Sequence, residues 1–408
     1  MSAPGTGNLF VDNAALVLTA ATGAADAEPL GLVANGAVAI ENGHVVWVGR
    51  ESDAPAAART LPRLDAGGGL VTPGLVDAHA HPIFGGARAG EFAARAAGLS
   101  YLEIALAGGG IQSTVAATRA ASDDELRAGT LARLARAHAQ GTTTLEAKTG
   151  YALSVEGELR LLRLLHDVSA RQPITLRPTL LGAHAVPAER VRVRAAYVEE
   201  CAGPMVEGAR GLAHAVDVYC DEGAFTLDES RRILGAAKAA GFAVRAHAGQ
   251  FADLGAAGLV AELGGLSADH LEQVSDAEAA KMAAAGVVAT LLPGACVQLR
   301  LPAPPVARLR AAGCRFALGT DMNPGSSMTE SLPLQMWLAA THLGLTVEET
   351  WLAVTRDGAR AAGRPEAGVL APGRPADLVV WNADDHRTIP YHYGTNLVAR
   401  VIVGGVPT

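Results

Sequence analysis

Cysteine, lysine and aromatic residues are all scarce in this chain. Its 408 residues include four cysteines, none in C-x-x-C spacing, and three lysines, while Phe, Tyr and Trp together make up 4%. So few scattered cysteines indicate reduced thiols rather than a disulfide framework, and therefore a reducing cytoplasm. Because half of the residues are apolar but few are aromatic, the core must be built from Ala, Val and Leu.

Long hydrophobic runs and basic clusters are absent as well. The longest apolar stretch, Met282 to Val297, is short for a membrane span and is interrupted by Pro293-Gly294. No Lys or Arg precedes Arg50, so the N-terminus lacks the basic start of a signal peptide. The net charge is -8 and the sequence has no basic patch, so it offers no positively charged surface for binding nucleic acid. We therefore expect neither a membrane segment nor a nucleic-acid partner.

Short alternating strands separated by glycine turns occupy both ends of the chain. In the N-terminal part, Asn42-Gly43 is a hairpin signal. Near the C-terminus, Leu378 to Trp381 and Leu397 to Val403 are predicted as two further strands. Two terminal groups of strands pair most simply with each other. The prediction is one small discontinuous β-sandwich domain built from residues 1–70 and 366–408.

The segment between them, residues 71–365, alternates short apolar segments with helical stretches rich in Ala, Leu and Arg. The helical stretches follow capping residues such as Ser122 and Thr226, and acidic residues come next. Eight apolar segments are present, the number that a closed parallel (β/α)8 TIM-type barrel requires, so the predicted fold class is α/β. They are Leu75 to His81, Thr142 to Lys148, Ile174 to His184, Ala215 to Asp221, Phe242 to His247, Leu266 to His270, Val287 to Pro293 and Phe316 to Asp321.

Three of these predicted strands end on residues that bind metals. In an extended strand His79 and His81, two positions apart, point the same way, while His247 ends the fifth strand and Asp321 the eighth. The carboxyl ends of barrel strands assemble the active site. Taken singly, His247 fits a core histidine and Asp321 a turn N-cap, but together they favour a metal site. Three imidazoles and a carboxylate suit zinc or ferrous iron, which lowers the pKa of bound water to about 7.

Several longer segments resemble a known family. VTPGLVDAHAH, RAHAGQF, SADH and GTDMNPGS resemble the metal-dependent amidohydrolase superfamily over nearly the whole chain. Within it, FGGARAGEF, YLEIALAGGGIQSTVAATR, GTTTLEAKTGY, LGAHAVP and DMNPGSSM resemble the imidazolonepropionase family of histidine degradation. The resemblance implies a hydrolase with one Zn or Fe ion per subunit, which opens the ring of 4-imidazolone-5-propanoate to give N-formimino-L-glutamate. The substrate would be a small molecule with a propionate carboxylate, and a homodimer is the expected assembly.

Other polar residues near the strand ends agree with such a substrate. Arg88, in a glycine-bearing loop after the metal strand, is predicted to hold the carboxylate through its guanidinium fork. Tyr151 is predicted to add a hydroxyl to the same carboxylate or to the product, and His184 to hydrogen-bond the ring carbonyl. Without the family resemblance, Arg88 would be interpreted as a surface arginine, and the other two as packing residues.

Proton transfer is assigned to His270, which ends its strand beside Asp269. Together with Asp321 it is predicted to take the proton from the catalytic water. The predicted catalytic residues are His270, Asp321, Gln250 and His184. The predicted substrate-binding residues are Arg88, Tyr151, His184, Gln250, Asn323, Gly325 and Ser326, and the predicted metal ligands are His79, His81, His247 and Asp321.

Two rival functions are less compatible with the sequence. A ring deaminase on the same barrel needs a carboxylic acid three residues after the strand-five histidine, and that position is Gln250, which cannot lose a proton. In the imidazolonepropionase family either Glu or Gln stands there. A non-catalytic scaffold that kept only the barrel is disfavoured, because all four predicted ligand positions are filled.

Some remaining features have structural interpretations. The glycines Gly108-Gly109-Gly110 lack the phosphate-loop pattern G-x-x-x-x-G-K-[ST], so we expect them to line the pocket. Lys148, at a strand end, fits an ion pair with Glu146. The other histidines are expected in helices or in the β domain without a role in the site: His44, His138, His166, His214, His342, His386 and His392.

Overall fold

The computed structural model of the chain describes residues 7–21, 28–99, 103 and 108–408. Within these residues the strands form two eight-stranded sheets. Residues 101–102 and 104–107 of the segment YLEIALAGGGIQSTVAATR lie outside the described residues, as do residues 1–6 and 22–27 of the predicted β domain.

The strands are numbered along the chain. They are β1 Leu9–Leu18, β2 Leu32–Glu41, β3 His44–Arg50, β4 Arg63–Asp65, β5 Leu70–Pro73, β6 Leu75–Ala80, β7 Thr142–Lys148, β8 Thr175–Ala183, β9 Ala215–Cys220, β10 Ala243–Ala248, β11 Ser267–His270, β12 Val288–Leu291, β13 Phe316–Leu318, β14 Leu378–Trp381, β15 Val398–Val403 and β16 Val406–Pro407. The first five and the last three belong to a sheet made from both ends of the chain, and β6 to β13 form the second sheet.

The terminal sheet joins the two ends of the chain directly. Its strand order is β16-β15-β14-β5-β1-β2-β3, with β4 also paired to β1, and β14 runs antiparallel to β5. The β2–β3 hairpin turns at Asn42 and Gly43, whose φ angles of 50° and 75° are both positive, as a type I′ turn requires. The predicted β unit from both termini is therefore present. Because β5 belongs to this sheet and β6 to the barrel, the chain passes from one sheet to the other at Gly74. The division into domains stays a prediction.

The second sheet is the predicted barrel. Its eight strands are parallel and follow one another in chain order. The barrel closes where Ala80 bridges to Met322, and the His81 N–H donates to the Met322 carbonyl at 3.0 Å. The last strand is only three residues long. The next residue, Gly319, has no room for a side chain, because a Cβ there would lie 2.7 Å from the His79 Cβ. The (β/α)8 fold class is confirmed.

Helices cover the outside of the barrel, and their starts follow the predicted caps. Ser122 and Thr226 each form a capping box with the glutamate three residues later. The α-helices are Ala89–Ala96, Ile111–Ala120, Asp123–Ala139, Val155–Ser169, Arg194–Glu200, Val206–Gly208, Leu227–Ala239, Ala256–Glu262, Asp276–Ala285, Pro293–Leu299, Val306–Ala312, Leu332–Leu338, Val347–Ala353, Arg356–Ala361 and Thr388–Tyr391. Among the helices of the described residues, none has both the length and the apolar character needed to cross a bilayer.

The terminal sheet packs against a helix of the barrel at a pair of tryptophans, with Trp381 on β14 and Trp351 on the helix Val347–Ala353. Trp351 and Trp381 are fully buried and meet edge to face with ring centroids 6.0 Å apart. The Trp381 indole donates to Thr72 Oγ1 at 2.9 Å, so its polar atom is also satisfied. Inside the barrel, by contrast, an ion-pair network joins five charged side chains that are at most 1% exposed: Glu146, Lys148, Asp217, Arg245 and Asp269. This charged layer lies directly behind the residues described next.

Candidate metal centre and substrate pocket

The predicted metal ligands meet at the mouth of the barrel. His79 lies on β6, His81 directly follows that strand, and Asp321 follows β13 beside them. The Asp321 N–H donates to the His79 carbonyl at 2.9 Å, so barrel closure itself holds the two segments together. The Nε2 atoms of His79 and His81 lie 3.3 Å apart, and each is 3.5 Å from Asp321 Oδ1.

Two more histidines reach the same point from β10 and β11. The ring of His247 lies 4.6 Å from that of His79 between centroids and 5.4 Å from that of His270. Three overlapping groups have donor atoms within 4.8 Å of one another: His79 with His247 and His270, His81 with His184 and His247, and His79 with His81 and Asp321. The four predicted ligands are thus brought together, and His184 and His270 border them.

The cluster contains unpaired donor atoms of the kind that bind metals. Nε2 of His247, on the side of the ring away from Asp217, is buried without a hydrogen-bond partner among the described residues. The Nε2 atoms of His79 and His81 face each other at 3.3 Å and Asp321 Oδ1 at 3.5 Å. Buried polar atoms in folded proteins are nearly always paired, so ring nitrogens left open in this way fit a cation held among them. Imidazole nitrogens with one carboxylate are a preferred ligand set for zinc and ferrous iron. The residues present therefore fit a divalent metal ion.

Burial keeps the first two imidazoles in the form that binds metal. It lowers the pKa of His79 well below the ordinary 6.5, and nearby Lys148 lowers it further. The pKa of His81 is lowered in the same way, by burial and by neighbouring His184. Neutral imidazole is the metal-binding form. Burial raises the pKa of Asp321, because it disfavours the carboxylate, and a cation beside that side chain reverses the effect.

His270 differs from these rings because its pKa is raised. Burial pulls the pKa down, but the carboxylate of Glu272, with one oxygen 3.8 Å from Nδ1, outweighs burial together with Asp321 and Asp269. His270 and Leu271 also have φ angles of 79° and 73°, a strained conformation for residues with side chains. A strained, basic imidazole beside the metal ligands is suited to accept a proton.

A cavity of about 310 Å³ lies against the cluster. This volume is typical of small-molecule sites. His79 does not line it and lies behind the other ligands. The predicted site residues that line the cavity are His81, Arg88, Tyr151, His184, His247, Gln250, His270, Asp321, Asn323, Gly325 and Ser326.

Arg88 is a cavity cation that is tied to an acidic side chain. Its Nε and Nη2 atoms donate to Glu91 Oε2 at 2.9 and 2.7 Å, and both side chains are largely buried. Glu91 is held in turn by the Gly110 N–H at 3.1 Å. Gly325 packs against the guanidinium so closely that a Cβ there would lie 2.2 Å from Nη1. Gly325 therefore makes room for the arginine, and this is a steric role.

His184 presents a hydrogen-bond acceptor to the cavity. Its Nδ1–H donates to the Gly150 carbonyl at 3.0 Å, and burial lowers the pKa of the ring to about 3. A neutral imidazole with its proton on Nδ1 carries a lone pair on Nε2. It can accept a hydrogen bond from a substrate N–H, but it cannot donate one to a ring carbonyl. This geometry does not agree with the predicted role of His184 as a donor.

Gln250 is fixed through both its backbone and its side chain. The backbone N–H donates to Asp221 Oδ2 at 2.7 Å, and the same carboxylate accepts from the next two residues of the loop. The Tyr219 hydroxyl donates to Gln250 Oε1 at 2.8 Å. Because the amide oxygen is engaged there, the NH2 group is the part of Gln250 that can donate to a ligand.

Asn323 and Ser326 build the loop that carries Asp321. The Asn323 amide NH2 donates to the Asp321 carbonyl at 2.7 Å and to Ser326 Oγ at 2.8 Å, and Oδ1 accepts from the Gly325 and Ser326 N–H groups. Ser326 Oγ donates to Asp321 Oδ2 at 3.1 Å. Since the Asn323 amide is used within the loop, its position is suited to orienting Asp321, and direct substrate binding by this side chain is not supported.

Comparisons with known proteins place the chain in a family. The amidohydrolase family profile matches residues 93–408. The chain is 47% identical over 412 residues to an imidazolonepropionase of Anaeromyxobacter dehalogenans, covering 99% of this chain and 96% of that protein. It is 46% identical over 378 residues to one of Paracoccus denitrificans, covering 92% and 94%. The chain belongs to the imidazolonepropionase family of amidohydrolases.

Solved structures of other amidohydrolases share the fold at lower identity. A mutant atrazine chlorohydrolase from Arthrobacter aurescens complexed with zinc and atraton superposes with a TM-score of 0.77 at 16% identity, covering 98% of this chain and 94% of that chain. An adenosine deaminase from Xanthomonas campestris with bound zinc gives 0.70 at 20%, covering 99% and 93%. At these identities the likeness concerns the fold. Family membership and the histidine cluster together indicate a metal-ion site in this chain.

The sequence analysis did not predict the charged layer behind the histidine cluster of this imidazolonepropionase family member. Asp269 Oδ2 lies 2.6 Å from His79 Nδ1. Asp217 Oδ2 lies 3.1 Å from His247 Nδ1, at an angle poor for a hydrogen bond. The predicted ion pair of Lys148 with Glu146 is present at 3.1 Å, but the lysine lies closer to Asp217, at 2.6 Å.

A sequence signal existed for some of the missed residues. Asp217 and Tyr219 are two positions apart on β9, and the sheet register sets Tyr219 beside His247. The alternation that singled out His79 and His81 applies to them equally. Glu272 lies beyond the end of β11, where no periodicity indicates the direction of a side chain.

Two predictions about residues outside the proposed site, the glycines 108–110 and His214, need correction. The glycines of 108–110 do not line the cavity, although Ile111 does; Gly110 contributes instead by holding Glu91. His214 lies in a bend just before β9, outside both helices and the β sheet, with Nδ1 2.5 Å from Arg177 Nη2. None of the seven histidines given no role lines the cavity.

Proposed function

We propose that this chain hydrolyses the cyclic amide of 4-imidazolone-5-propanoate to N-formimino-L-glutamate, the activity of the imidazolonepropionase family. The observation that carries the proposal is one cavity of about 310 Å³ that has a metal-binding histidine cluster and a buried arginine, Arg88, in the same lining. The cluster supplies hydrolytic chemistry, and the arginine supplies a partner for a carboxylate on a small substrate.

His79, His81, His247 and Asp321 would hold one zinc or iron ion. Such an ion lowers the pKa of bound water to about 7 and polarises a carbonyl oxygen. The chain's own contribution is to keep the His79 and His81 imidazoles neutral through burial and to fix Asp321 through the Asn323 and Ser326 contacts. Three imidazoles and one carboxylate suit zinc and ferrous iron equally.

His270 and Asp321 would move the proton. They would take one proton from the attacking water as its oxygen bonds to the ring carbonyl carbon, and would pass the same proton to the ring nitrogen as the carbon–nitrogen bond breaks. Glu272 supports this role because it raises the pKa of His270, which improves a proton acceptor.

Recognition of the substrate would come from three sides. The Nη1 group of Arg88, which makes no hydrogen bond to a described residue, faces the space beside Gly325 and is available to the propionate. The Gln250 NH2 group can donate to an acceptor on the ring. The His184 Nε2 atom can accept from a ring N–H, and this replaces the donor role that the sequence predicted for it. Tyr151, buried between His81 and His184, closes one wall.

A ring deaminase is the alternative with the nearest chemistry. It would need an acid at position 250 to protonate a ring nitrogen, whereas Gln250 is an amide whose oxygen already accepts from Tyr219. The position is therefore a hydrogen-bond donor and not a proton source, which favours hydrolysis of an amide over deamination.

Metal analysis combined with a substrate assay tests the proposal. Purified protein should contain about one zinc or iron per chain and should remove the absorbance of the imidazolone ring when it is added to that compound. Protein with neither metal nor turnover would instead fit a non-catalytic scaffold. A homodimer and a cytoplasmic location remain predictions, to be checked by light scattering and by cell fractionation.

A further inference from the structure

The two carboxylates behind the metal-facing histidines are supported unequally. Asp269, behind His79, accepts from Arg245 at 2.8 Å on Oδ2 and from Ser267 at 2.7 Å on Oδ1. Arg245 is itself anchored by the Ala78 carbonyl at 2.8 Å. Lys148 lies farther away, 3.6 Å from Asp269 Oδ2. Asp269 therefore keeps a cation and a hydroxyl donor even without the lysine.

Asp217, behind His247, has much less support. Lys148 donates to its Oδ2 atom at 2.6 Å and is the one lysine or arginine in ion-pair contact with it among the described residues. The Oδ1 atom is buried and has no hydrogen-bond partner within that part of the chain. A buried carboxylate with one cation depends strongly on that cation, because losing it leaves an uncompensated charge.

We propose that Lys148 is a positioning residue of the metal centre, which holds Asp217 against the Nδ1 side of His247 so that the ring keeps Nε2 turned toward the other ligands. The inference rests on the metal centre proposed above. Carboxylates placed behind ligating imidazoles are known to fix ring orientation. The proposal adds the cation behind the carboxylate, Lys148, and its preference for the Asp217–His247 pair over the Asp269–His79 pair.

The nature of Lys148 supports this role. It is fully buried, whereas Lys281 is an exposed lysine paired with Glu278 on a helix. Its ammonium group lies within 3.6 Å of three carboxylates from three strands, namely Glu146, Asp217 and Asp269. A compact ammonium with three donors can serve three acceptors around one point, whereas a planar guanidinium is suited to pairing in a plane.

Zinc affinity in a set of double-mutant cycles tests the selectivity. Lys148→Met should weaken binding of Zn²⁺ by about tenfold to a hundredfold, the usual effect of losing a group behind a ligand. Asp217→Asn should have a similar effect in the parent but change affinity by only about twofold in the Lys148→Met background, because the interaction has already gone. Asp269→Asn should keep most of its effect in both backgrounds.

Competition with a chromophoric chelator gives these affinities without use of the catalytic activity. A spectroscopic measurement accompanies it: the ¹⁵N signals of the His247 imidazole should shift more in Lys148→Met than those of His79, whose carboxylate Asp269 has the longer contact to the lysine and keeps Arg245. Lys281→Met is the matched control, since it removes an exposed lysine, and it should leave affinity and signals unchanged.

Several results would overturn the inference, and they are distinguishable from a failure of the proposed function. A parent protein that binds no Zn²⁺ would remove the metal centre itself. A parent that binds, with Lys148→Met equally tight or coupled as strongly to Asp269→Asn as to Asp217→Asn, would refute the positioning role alone. If Lys148→Met does not fold, Lys148→Met/Asp217→Asn removes both charges together; it should match Asp217→Asn within about twofold, and a much larger loss would count against us.

Discussion

Two adjacent layers inside the barrel differ in how far their polar atoms are paired within the protein. At the mouth, ring nitrogens of His81, His247 and His270 have no partner among the described residues. In the charged layer just behind, Lys148 and Arg245 each contact carboxylates within hydrogen-bond distance. The outer layer has binding capacity left for something from outside the chain. The inner layer is held together by its own ion pairs, although Glu146 Oε2 and Asp217 Oδ1 have no hydrogen-bond partner among the described residues.

The difference has an energetic meaning. A buried polar group without a partner costs about 1 to 3 kcal/mol, so several such groups in one cluster fit a place where a ligand satisfies them. The strained backbone at His270 and Leu271 adds to the cost at the same place. Part of the free energy of folding is therefore given up at the mouth of the barrel.

Removing one nitrogen ligand from the mouth should have the largest effect. His247→Ala leaves an incomplete ligand set, so bound metal and activity should both fall to near background while circular dichroism shows an intact barrel. Metal content after gel filtration is the measurement, and His342→Ala, which removes an exposed histidine, is the matched control. Full metal occupancy in His247→Ala would exclude this residue as a ligand.

The next effect concerns a mouth residue outside the proposed ligand set. His270→Ala should retain the metal, because His79, His81, His247 and Asp321 remain, but turnover should fall by about 10²-fold or more, the usual contribution of a general base. Steady-state rates and metal content are measured on the same sample. Unchanged turnover would reduce His270 to a structural role, and loss of metal would make it a ligand instead.

Arg88→Ala should have an intermediate effect and separates carboxylate recognition from chemistry. A charge-assisted hydrogen bond is worth about 1.5 to 3 kcal/mol, so kcat/KM should fall roughly ten- to a hundredfold with no change in metal content. An imidazolone without the carboxylate should be a poor substrate for the parent and lose little more in the variant, since its partner is already absent. Equal losses for both compounds would mean that Arg88, with Glu91, only holds its loop.

The sequence allowed the mouth to be predicted better than the layer behind it. His79, His81, His247 and Asp321 stand at strand ends, where the barrel geometry itself brings side chains together. The fold class followed from counting eight apolar segments, although the last strand, β13 Phe316–Leu318, ends three residues before the predicted end at Asp321.

The contacts of the inner layer could not be predicted from the sequence in the same way. Whether Lys148 pairs with Glu146 on its own strand or with Asp217 on another depends on distances across the barrel, and strand alternation does not contain them. The direction of His184 likewise depends on a single bond to the Gly150 carbonyl. Residue type and spacing identify which side chains reach the site, but hydrogen-bond direction is decided by the packed structure.

Tyr219→Phe should have the smallest effect. It tests the hydrogen bond from Tyr219 on β9 to Gln250, which follows the neighbouring strand β10. The Tyr219 hydroxyl is the group that turns the Gln250 amide with its oxygen away from the ligand side. A neutral hydrogen bond contributes about 1 kcal/mol, so its loss should raise KM about fivefold, with kcat and metal content nearly unchanged, because the amide can then turn without losing its place in the loop.

Tyr393→Phe is the matched control for this change, since that tyrosine is exposed and stacks on Trp337 away from the cavity. Gln250→Ala removes the amide altogether and should have at least the effect of Tyr219→Phe. In the Gln250→Ala background, Tyr219→Phe should change KM by no more than about twofold, because the hydroxyl then has no amide to orient. A loss from Tyr219→Phe that persists undiminished without the amide would mean that the tyrosine contacts the substrate itself.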